Sequence, residues 1–221
     1  MADVTLEILA DHSRPSEEPR GFLSLRRLSL RTVSVQAGVS EPFMYDIVER
    51  DALDAVLIIL CAKNQDDQDD PWVCLRSALR PPVGLRPSHP AMLWELPAGL
   101  IERADLIDET ASRETREETG FALEASSFER LGEPVYLSPG MCGEMLHFRL
   151  AWVDRSAARE LTSTEQVEQL SEIEWVLVSE SLRRAAAGSL RDCKTELALH
   201  RLRARLDAAQ RQAKLLMKDA K

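Results

Sequence analysis

Three glutamates stand close together in the segment RETREETGF, which covers residues 113–121. In a helix, Glu114, Glu117 and Glu118 share one face, because positions i, i+3 and i+4 lie on the same side, and Arg113 lies one turn before Glu117. Carboxylates crowded in this way repel one another unless a cation lies between them, and hard oxygen ligands suit Mg²⁺ or Mn²⁺. The spacing therefore predicts a divalent-metal site, and a solvated, salt-bridged helix face is the alternative interpretation.

The residues on either side of this cluster predict a compact unit around it. The segment from Trp94 to Gly99, WELPAG, is typical of a strand that runs into a tight turn. Gly120 is a natural end for the helix, because glycine readily adopts the left-handed conformation of a helix C-terminus. A helix that carries carboxylates is therefore expected between a glycine-bearing loop and a glycine stop.

The segment from Gly99 to Phe121 resembles the Nudix box, GX5EX7REUXEEXGU, in which U is a bulky apolar residue. The matching residues fall on their positions without a gap: Gly99, Arg113, Glu114, Glu117, Glu118, Gly120 and Phe121. Asp105 stands where the box has its first Glu, and its shorter side chain is given no direct role. Thr115 stands at the first apolar position, where its methyl group can still pack. The resemblance implies an α/β fold of the Nudix type, an α/β/α sandwich of mixed sheets.

Members of this family hydrolyse a nucleoside diphosphate linked to another group, and the resemblance implies the same chemistry here. Divalent ions, Mg²⁺ or Mn²⁺, would be held by Glu114, Glu117, Glu118 and the main-chain carbonyl of Ala98. Arg113 is expected to serve catalysis by orienting the carboxylates, and Glu117 would share metal binding with an ion pair to Arg113. Replacing Glu118 with Gln is expected to abolish turnover and to leave thermal stability unchanged or raised, since one repulsion disappears.

Three further segments are similar to the ADP-ribose and nucleotide-sugar pyrophosphatase branch of the family. They are ELPAGLIE at residues 95–102, SPGMCGE at residues 138–144, and GSLRDCKT at residues 188–195. In that branch the glutamate of the SPG loop positions or activates the attacking water, and Glu144 occupies the matching place. Its location on a mobile loop, flanked by glycines, would suit this role. An ordinary turn with an exposed Glu144 is the alternative interpretation.

The resemblance also implies which residues contact the substrate. Arg80 is expected near the phosphates, where its guanidinium could bind a diphosphate with two hydrogen bonds. Glu95 belongs to the matching lead-in, and Tyr45 could stack on the base, although core packing is as good an explanation for Tyr45. ADP-ribose is the first choice of substrate, and UDP-glucose, GDP-mannose or a similar nucleotide sugar is the second. A catalytically silent Nudix domain that binds a nucleotide as a sensor or scaffold is the competing hypothesis.

Strands and helices along the rest of the chain agree with a mixed α/β architecture. Residues 1–20 are predicted to be a loosely held lead-in and residues 21–35 a twisted hairpin, because apolar and basic residues alternate there. Later strands are predicted at residues 43–48, 54–61, 72–79, 129–137, 145–153 and 172–178, and helices at 180–187 and 192–218. We divide the chain into an N-terminal β-element, residues 1–50, and a hydrolase domain, residues 51–221, that ends in the long C-terminal helix. In related enzymes such a β-element reaches across a homodimer.

Composition limits the function classes further. The chain has 221 residues, of which 44% are hydrophobic and 29% charged, and a net charge of −9. An acidic chain is a poor partner for nucleic acid or for an anionic membrane, and no apolar run is long enough for a membrane span. The four cysteines lack metal-binding spacing, which indicates free thiols and a cytoplasmic protein.

Overall fold

The computed structural model describes residues 4–13, 22–102, 106–157 and 171–219. Asp105, one of the two residues that depart from the family pattern, lies outside these ranges. The chain divides into two compact units. The first comprises Met1–Leu53 and Tyr136–Met145, and the second comprises Asp54–Val135 and Leu146–Lys221. The loop that contains Glu144 therefore groups with the N-terminal unit, and the predicted domain boundary between residues 50 and 51 stays a prediction.

The first unit contains a four-stranded antiparallel sheet. Its strands are β1 (Val4–Asp11), β2 (Ser24–Ser34), β3 (Gly38–Val39) and β4 (Phe43–Glu49). The long strand β2 lies between β1 on one edge and β3 and β4 on the other. The predicted N-terminal β-element is thus a sheet.

Two expectations for this unit were wrong. The stretch predicted as a hairpin contains one continuous strand, because no glycine, proline or asparagine interrupts residues 24–34 to turn the chain. Its partner β1 comes from the supposed lead-in, where Val4, Leu6 and Ile8 alternate with other residues at the period of a strand.

The second unit is built on an eight-stranded mixed sheet with the order β10-β11-β5-β6-β12. Its strands are β5 (Ala55–Ala62), β6 (Trp72–Leu79), β7 (Met92–Glu95), β8 (Ala98–Leu100), β9 (Glu129–Arg130), β10 (Val135–Tyr136), β11 (Met145–Trp152) and β12 (Ile173–Leu177). Strand β11 runs parallel to β5, whereas β6 and β8 run antiparallel to β5. Every residue of β5 is buried, as its continuous apolar run predicts.

Helices cover both faces of this sheet. The α-helices of this unit, among the described residues, are α1 (Pro81–Gly84), α2 (Ile107–Thr119), α3 (Val178–Ala186) and α4 (Cys193–Asp219). Leu57 and Ile59 of β5 pack in a core with Leu199 of α4, while Ile58 packs on the opposite face with Ala111 of α2. The predicted α/β/α sandwich is confirmed, and so is the long C-terminal helix.

The apolar stripe of α4 packs only along its first half. Leu199 and Leu202 are fully buried and Leu206 partly so, but Leu215 and Leu216 are largely exposed. The buried part of this apolar stripe therefore ends near Leu206. Among the residues that the structure describes, none of the helices is long and apolar enough to cross a membrane.

Candidate active site

The carboxylate-bearing helix α2 forms where the sequence predicts it. Gly120 ends the helix with a φ of 76°, in the left-handed region, and its amide donates to the carbonyl of Arg116 at 3.1 Å. One face of the helix packs on the sheet through Ala111 and Thr115, both fully buried. Thr115 is therefore accommodated at a position that the family pattern gives to an apolar residue, and the glutamates project from the neighbouring face.

Glu118 is the most deeply placed of the three glutamates. Its side chain is 6% exposed and forms an ion pair with Arg76 of β6, whose side chain is 9% exposed. Its Oε2 also accepts a hydrogen bond from the amide of Ala98 at 3.0 Å. Strand β8 and helix α2 are thus joined directly through the carboxylate that was predicted to hold a metal.

Glu114 lies against the same short strand. A Cβ atom at Gly99 would overlap the carboxyl group of Glu114, so only glycine allows this approach. Glu114 and Glu118 therefore meet the main chain at Ala98 and Gly99, which are consecutive residues of β8. Both carboxylates thus lie beside this stretch of backbone, and metal binding by Glu114, Glu118 and the carbonyl of Ala98 stays a prediction.

Arg113 lies between the remaining carboxylates. Its Nη1 is 2.9 Å from Oε1 of Glu114 and 3.1 Å from Oε2 of Glu117, whose side chain is 43% exposed. Burial by itself would lower the pKa of Arg113, but the charges of Glu114 and Glu117 outweigh that effect and raise the pKa. These contacts agree with an orienting role for Arg113.

The donor set suits a hard divalent cation. Carboxylate oxygens of Glu114 and Glu118 and the backbone of β8 lie together, and oxygen donors of this kind are those that Mg²⁺ and Mn²⁺ prefer. Within the described ranges no three Asp, Glu, His or Cys side chains already form a metal-binding group. Ion pairs with Arg76 and Arg113 engage the glutamates instead, so metal binding would require those pairs to rearrange.

Glu95 and Arg80, both predicted to contact the substrate, contact each other. Nε of Arg80 donates to Oε2 of Glu95 at 3.1 Å, and Nη2 of Arg80 binds Oε1. The carboxylate is buried, with 1% of the side chain exposed, whereas the arginine is 43% exposed. Arg80 is therefore open to solvent on one side and bonded to Glu95 on the other. A direct contact between Glu95 and substrate stays a prediction.

In the first unit, the loop that follows Tyr136 is attached to strand β4. The hydroxyl of Tyr45 donates to the carbonyl of Gly140 at 3.0 Å, and the amide of Val48 donates to the carbonyl of Met141 at 2.9 Å. Glu144 forms an ion pair with Arg50 at 3.0 Å, in which both side chains are mostly buried. The loop expected to be mobile is thus held by contacts at several points, and the ring of Tyr45 is only 40% exposed.

Sequence reasoning missed the three cations that partner the predicted site residues: Arg76, Arg50 and Lys194. A signal existed for Arg76, because a charged residue inside the buried run WVCLRSAL needs a buried partner. Arg50 follows the last residue of β4 and gives no local signal. Lys194 lies 4.0 Å from Glu95, and its segment was recognised without a role.

The sequence of this chain matches those of known proteins. The sequence profile of the NUDIX domain matches residues 53–196. An ADP-ribose pyrophosphatase of Bacillus subtilis is 33% identical over 113 residues, which cover 49% of this chain and 56% of that protein. A GDP-mannose pyrophosphatase of Cronobacter sakazakii is 36% identical over 115 residues, which cover 52% of this chain and 57% of that protein. The chain thus spans about half the length of these relatives.

A solved structure shares the fold over nearly the whole chain. The crystal structure of an ADP compounds hydrolase superposes with a TM-score of 0.65 and covers 92% of this chain and 95% of its own. The two sequences are 14% identical, a level at which the likeness concerns the fold alone.

Proposed function

Because this chain belongs to the NUDIX domain family, we propose that it is a metal-dependent hydrolase of nucleotide sugars. It would cleave the diphosphate of ADP-ribose, or of a related nucleotide sugar, into a nucleoside monophosphate and a sugar phosphate. The observation that carries this proposal is the meeting of Glu114 and Glu118 with the backbone of Ala98 and Gly99. Two carboxylates one helical turn apart are thereby held beside a main-chain segment, which suits the binding of divalent cations.

The proposed reaction adds one water molecule across the diphosphate. The water oxygen bonds to one phosphorus, the bond from that phosphorus to the bridging oxygen breaks, and the bridging oxygen leaves with the other phosphate. Bound Mg²⁺ or Mn²⁺ would neutralise phosphate charge and make the water more acidic. Glu114, Glu118 and the carbonyl of Ala98 are the proposed ligands, with Glu117 as the third carboxylate.

Two side chains are proposed to complete the catalytic group. Arg113 would hold Glu114 and Glu117 in position, which its two ion pairs support. Glu144 would take the proton from the attacking water. That role is supported by its place in the SPG-x-x-x-E pattern and by the ion pair with Arg50, which fixes the side chain within its loop.

Substrate binding is proposed for three residues. Arg80 would bind the diphosphate with the part of its guanidinium that faces solvent, anchored from behind by Glu95. The partly exposed ring of Tyr45 would stack on the base. The names of the relatives support the nucleotide-sugar class, and ADP-ribose remains our first choice, with UDP-glucose or GDP-mannose second.

We also propose a homodimer in which the first sheet forms the interface. Leu6 and Ile8 lie on one face of this sheet and are each more than half exposed. Apolar side chains on an exposed surface favour association. Sedimentation should show a dimer that Leu6→Glu weakens, and a wild-type monomer would contradict the proposal. The cytoplasmic location and the absence of nucleic-acid binding stay predictions.

A substrate panel tests the function. ADP-ribose, UDP-glucose, GDP-mannose, diadenosine polyphosphates and NADH are assayed with Mg²⁺ and with Mn²⁺, and the products are identified by mass spectrometry. Release of AMP and ribose 5-phosphate from ADP-ribose, lost in Glu118→Gln, is the expected result. Hydrolysis that survives Glu118→Gln at close to the wild-type rate would refute the metal-site assignment.

The ion pairs of the glutamates favour a second candidate. Since Arg76 and Arg113 already pair with these three carboxylates and offset two of their three charges, the domain could bind a nucleotide without hydrolysing it, as a sensor or scaffold. Stabilisation of the fold by ADP-ribose, with no product formed under either metal, would support this alternative.

A further inference from the structure

The first residues of helix α4 carry buried polar groups that the proposed reaction does not use. Oδ2 of Asp192 accepts hydrogen bonds from the amide of Thr195 at 3.0 Å and from its hydroxyl at 2.7 Å. Asp192 therefore satisfies donors at the N-terminus of the helix, as a capping residue does. Both residues are buried, with Thr195 completely so.

This capped turn is bonded to the end of strand β7. The hydroxyl of Thr195 accepts a hydrogen bond from the amide of Leu96 at 2.8 Å, and Leu96 follows Glu95 directly. Lys194, between the two capping partners, donates to Oδ1 of Asp192 at 2.6 Å and lies 4.0 Å from Oε2 of Glu95. The main chain beside Glu95 is thus bonded to the start of α4, and the Glu95 carboxylate lies near the ammonium group of Lys194.

The four charged side chains of this group balance one another. Glu95 and Asp192 supply two negative charges, and Arg80 and Lys194 supply two positive ones. A carboxylate as buried as Glu95 is costly unless cations compensate it. Lys194 shares with Arg80 the compensation of the Glu95 charge. Part of the positive potential of Arg80 is therefore left for an anion on the side of the guanidinium that faces away from Glu95.

The geometry of Arg80 shows which part of it is available. A guanidinium carries five N–H groups. The Nε–H and one N–H of Nη2 of Arg80 donate to the carboxylate of Glu95. The side chain of Arg80 is 43% exposed. The opposite edge, formed by Nη1 and the second hydrogen of Nη2, has the spacing that binds two oxygens of a phosphate group. The direction of that edge is set by Glu95.

We propose that Lys194 is a positioning residue for diphosphate binding, which acts on the substrate through Glu95 and Arg80. Together with Asp192 and Thr195 it fixes the carboxylate that aims the guanidinium, and it leaves the charge of Arg80 available to the phosphates. This inference rests on the proposed function, because it takes Arg80 as the residue that binds the diphosphate. It gives the Asp-x-Lys-Thr segment a role in substrate affinity.

A double-mutant cycle between Lys194 and Arg80 tests the proposal. KM and kcat for ADP-ribose are measured with Mg²⁺, and the affinity for ADP is measured by calorimetry, which needs no turnover. Lys194→Met should raise KM and weaken ADP binding roughly tenfold, with kcat within about twofold, as expected for coupled neighbours. In the Arg80→Met background the same change should have less than about a twofold effect.

Two matched variants separate positioning from a general effect of charge or folding. Lys194→Arg should restore most of the affinity, because it returns the cation beside Glu95. Arg191→Met removes a nearby cation whose one hydrogen bond among the described residues goes to the carbonyl of Gly188, and it should leave KM unchanged. If Lys194→Met does not fold, Lys194→Gln replaces it, since glutamine can still donate to Asp192 while the charge is lost.

The outcomes distinguish this proposal from the function on which it rests. Additive effects of Lys194→Met and Arg80→Met, or a loss confined to kcat, would overturn the positioning role while hydrolysis stands. A wild-type chain that turns over no nucleotide sugar, yet loses ADP affinity on Lys194→Met only when Arg80 is present, would refute the function and support the role. A wild-type chain that binds no ADP and also turns over no nucleotide sugar would overturn both.

Discussion

The guanidinium of Arg76 and the carboxylate of Glu118 form a buried ion pair between strand β6 and helix α2. The sequence alone suggests that the carboxylates of this helix repel one another, so that neutralising one would relieve strain. The partner changes that expectation. Removing the charge of Glu118 breaks this buried ion pair on one side only, and the loss of one partner of a buried pair is strongly destabilising.

We therefore expect Glu118→Gln to lower stability as well as to abolish turnover. The free energy of unfolding should fall by roughly 3 kcal/mol, measured by urea denaturation without added metal. Glu117→Gln is the matched control, because its partly exposed carboxylate contributes little to folding. Addition of Arg76→Met to Glu118→Gln should restore part of the loss. An unchanged or raised stability of Glu118→Gln would show that the pair does not support the fold.

A second prediction concerns the contact between β8 and α2. Gly99→Ala places a methyl group where the carboxyl group of Glu114 lies, so Glu114 must move. A displacement of about 1 Å can reduce the rate about 100-fold, and we expect a loss of this order in kcat together with a weaker dependence on Mg²⁺. Gly140→Ala is the control, since a Cβ there meets no atom within 4 Å. Equal activity of the two variants would contradict the assignment.

A third prediction concerns the position at which the helix departs from its family pattern. The hydroxyl of Thr115 is buried and has no hydrogen-bond partner among the described residues. Thr115→Val removes this unsatisfied group and keeps the shape, so the free energy of unfolding should rise by about 1 kcal/mol. Thr119→Val should have the opposite effect, because the hydroxyl of Thr119 donates to the carbonyl of Thr115 at 2.5 Å. Thermal and urea denaturation of the two variants show whether the free energy of unfolding rises or falls in each.

A fourth prediction concerns the ion pair between Arg50 and Glu144. Glu144→Gln should reduce kcat by about two to four orders of magnitude, as expected for loss of a general base, with little change in KM. Arg50→Met should reduce kcat by a smaller factor, because Glu144 remains but loses its fixed orientation. The double variant should be no slower than Glu144→Gln alone.

The control for this fourth prediction is Arg27→Met, which breaks an exposed ion pair with Asp46 in the same sheet. It should leave kcat unchanged. A rate for Arg50→Met equal to that of Arg27→Met would mean that Glu144 needs no support from the strand. Losses that multiply in the double variant would mean that Arg50 and Glu144 act separately.

Local patterns in the sequence predicted much of the second unit. The apolar run of β5, the helix that ends at Gly120 and the long helix α4 all follow from periodicity and turn chemistry within a few residues. The cluster of Glu114, Glu117 and Glu118 was predictable for the same reason. The resemblance to the Nudix family then added Ala98, whose methyl side chain has no functional group that could indicate a role.

Contacts between distant parts of the chain were not predictable in this way. Arg76 and Glu118 meet only because α2 packs on the sheet that contains β6, and Lys194 approaches Glu95 only because α4 begins beside β7. Nothing in the local spacing encodes such pairs. Strand β1 was missed for a different reason. Its apolar residues Leu6 and Ile8 are exposed, so they do not form part of a buried core, and the residues around them in the sequence are mostly polar.

The attachment of the Glu144 loop to strand β4 has a consequence for protein engineering. The segment recognised by the family profile begins at residue 53 and includes this loop, but Tyr45, Val48 and Arg50, which bond to it, lie upstream. A truncated version trimmed to the recognised borders would discard those supports. Grafts or chimeras made with relatives should therefore transfer the upstream strands and the loop as one piece.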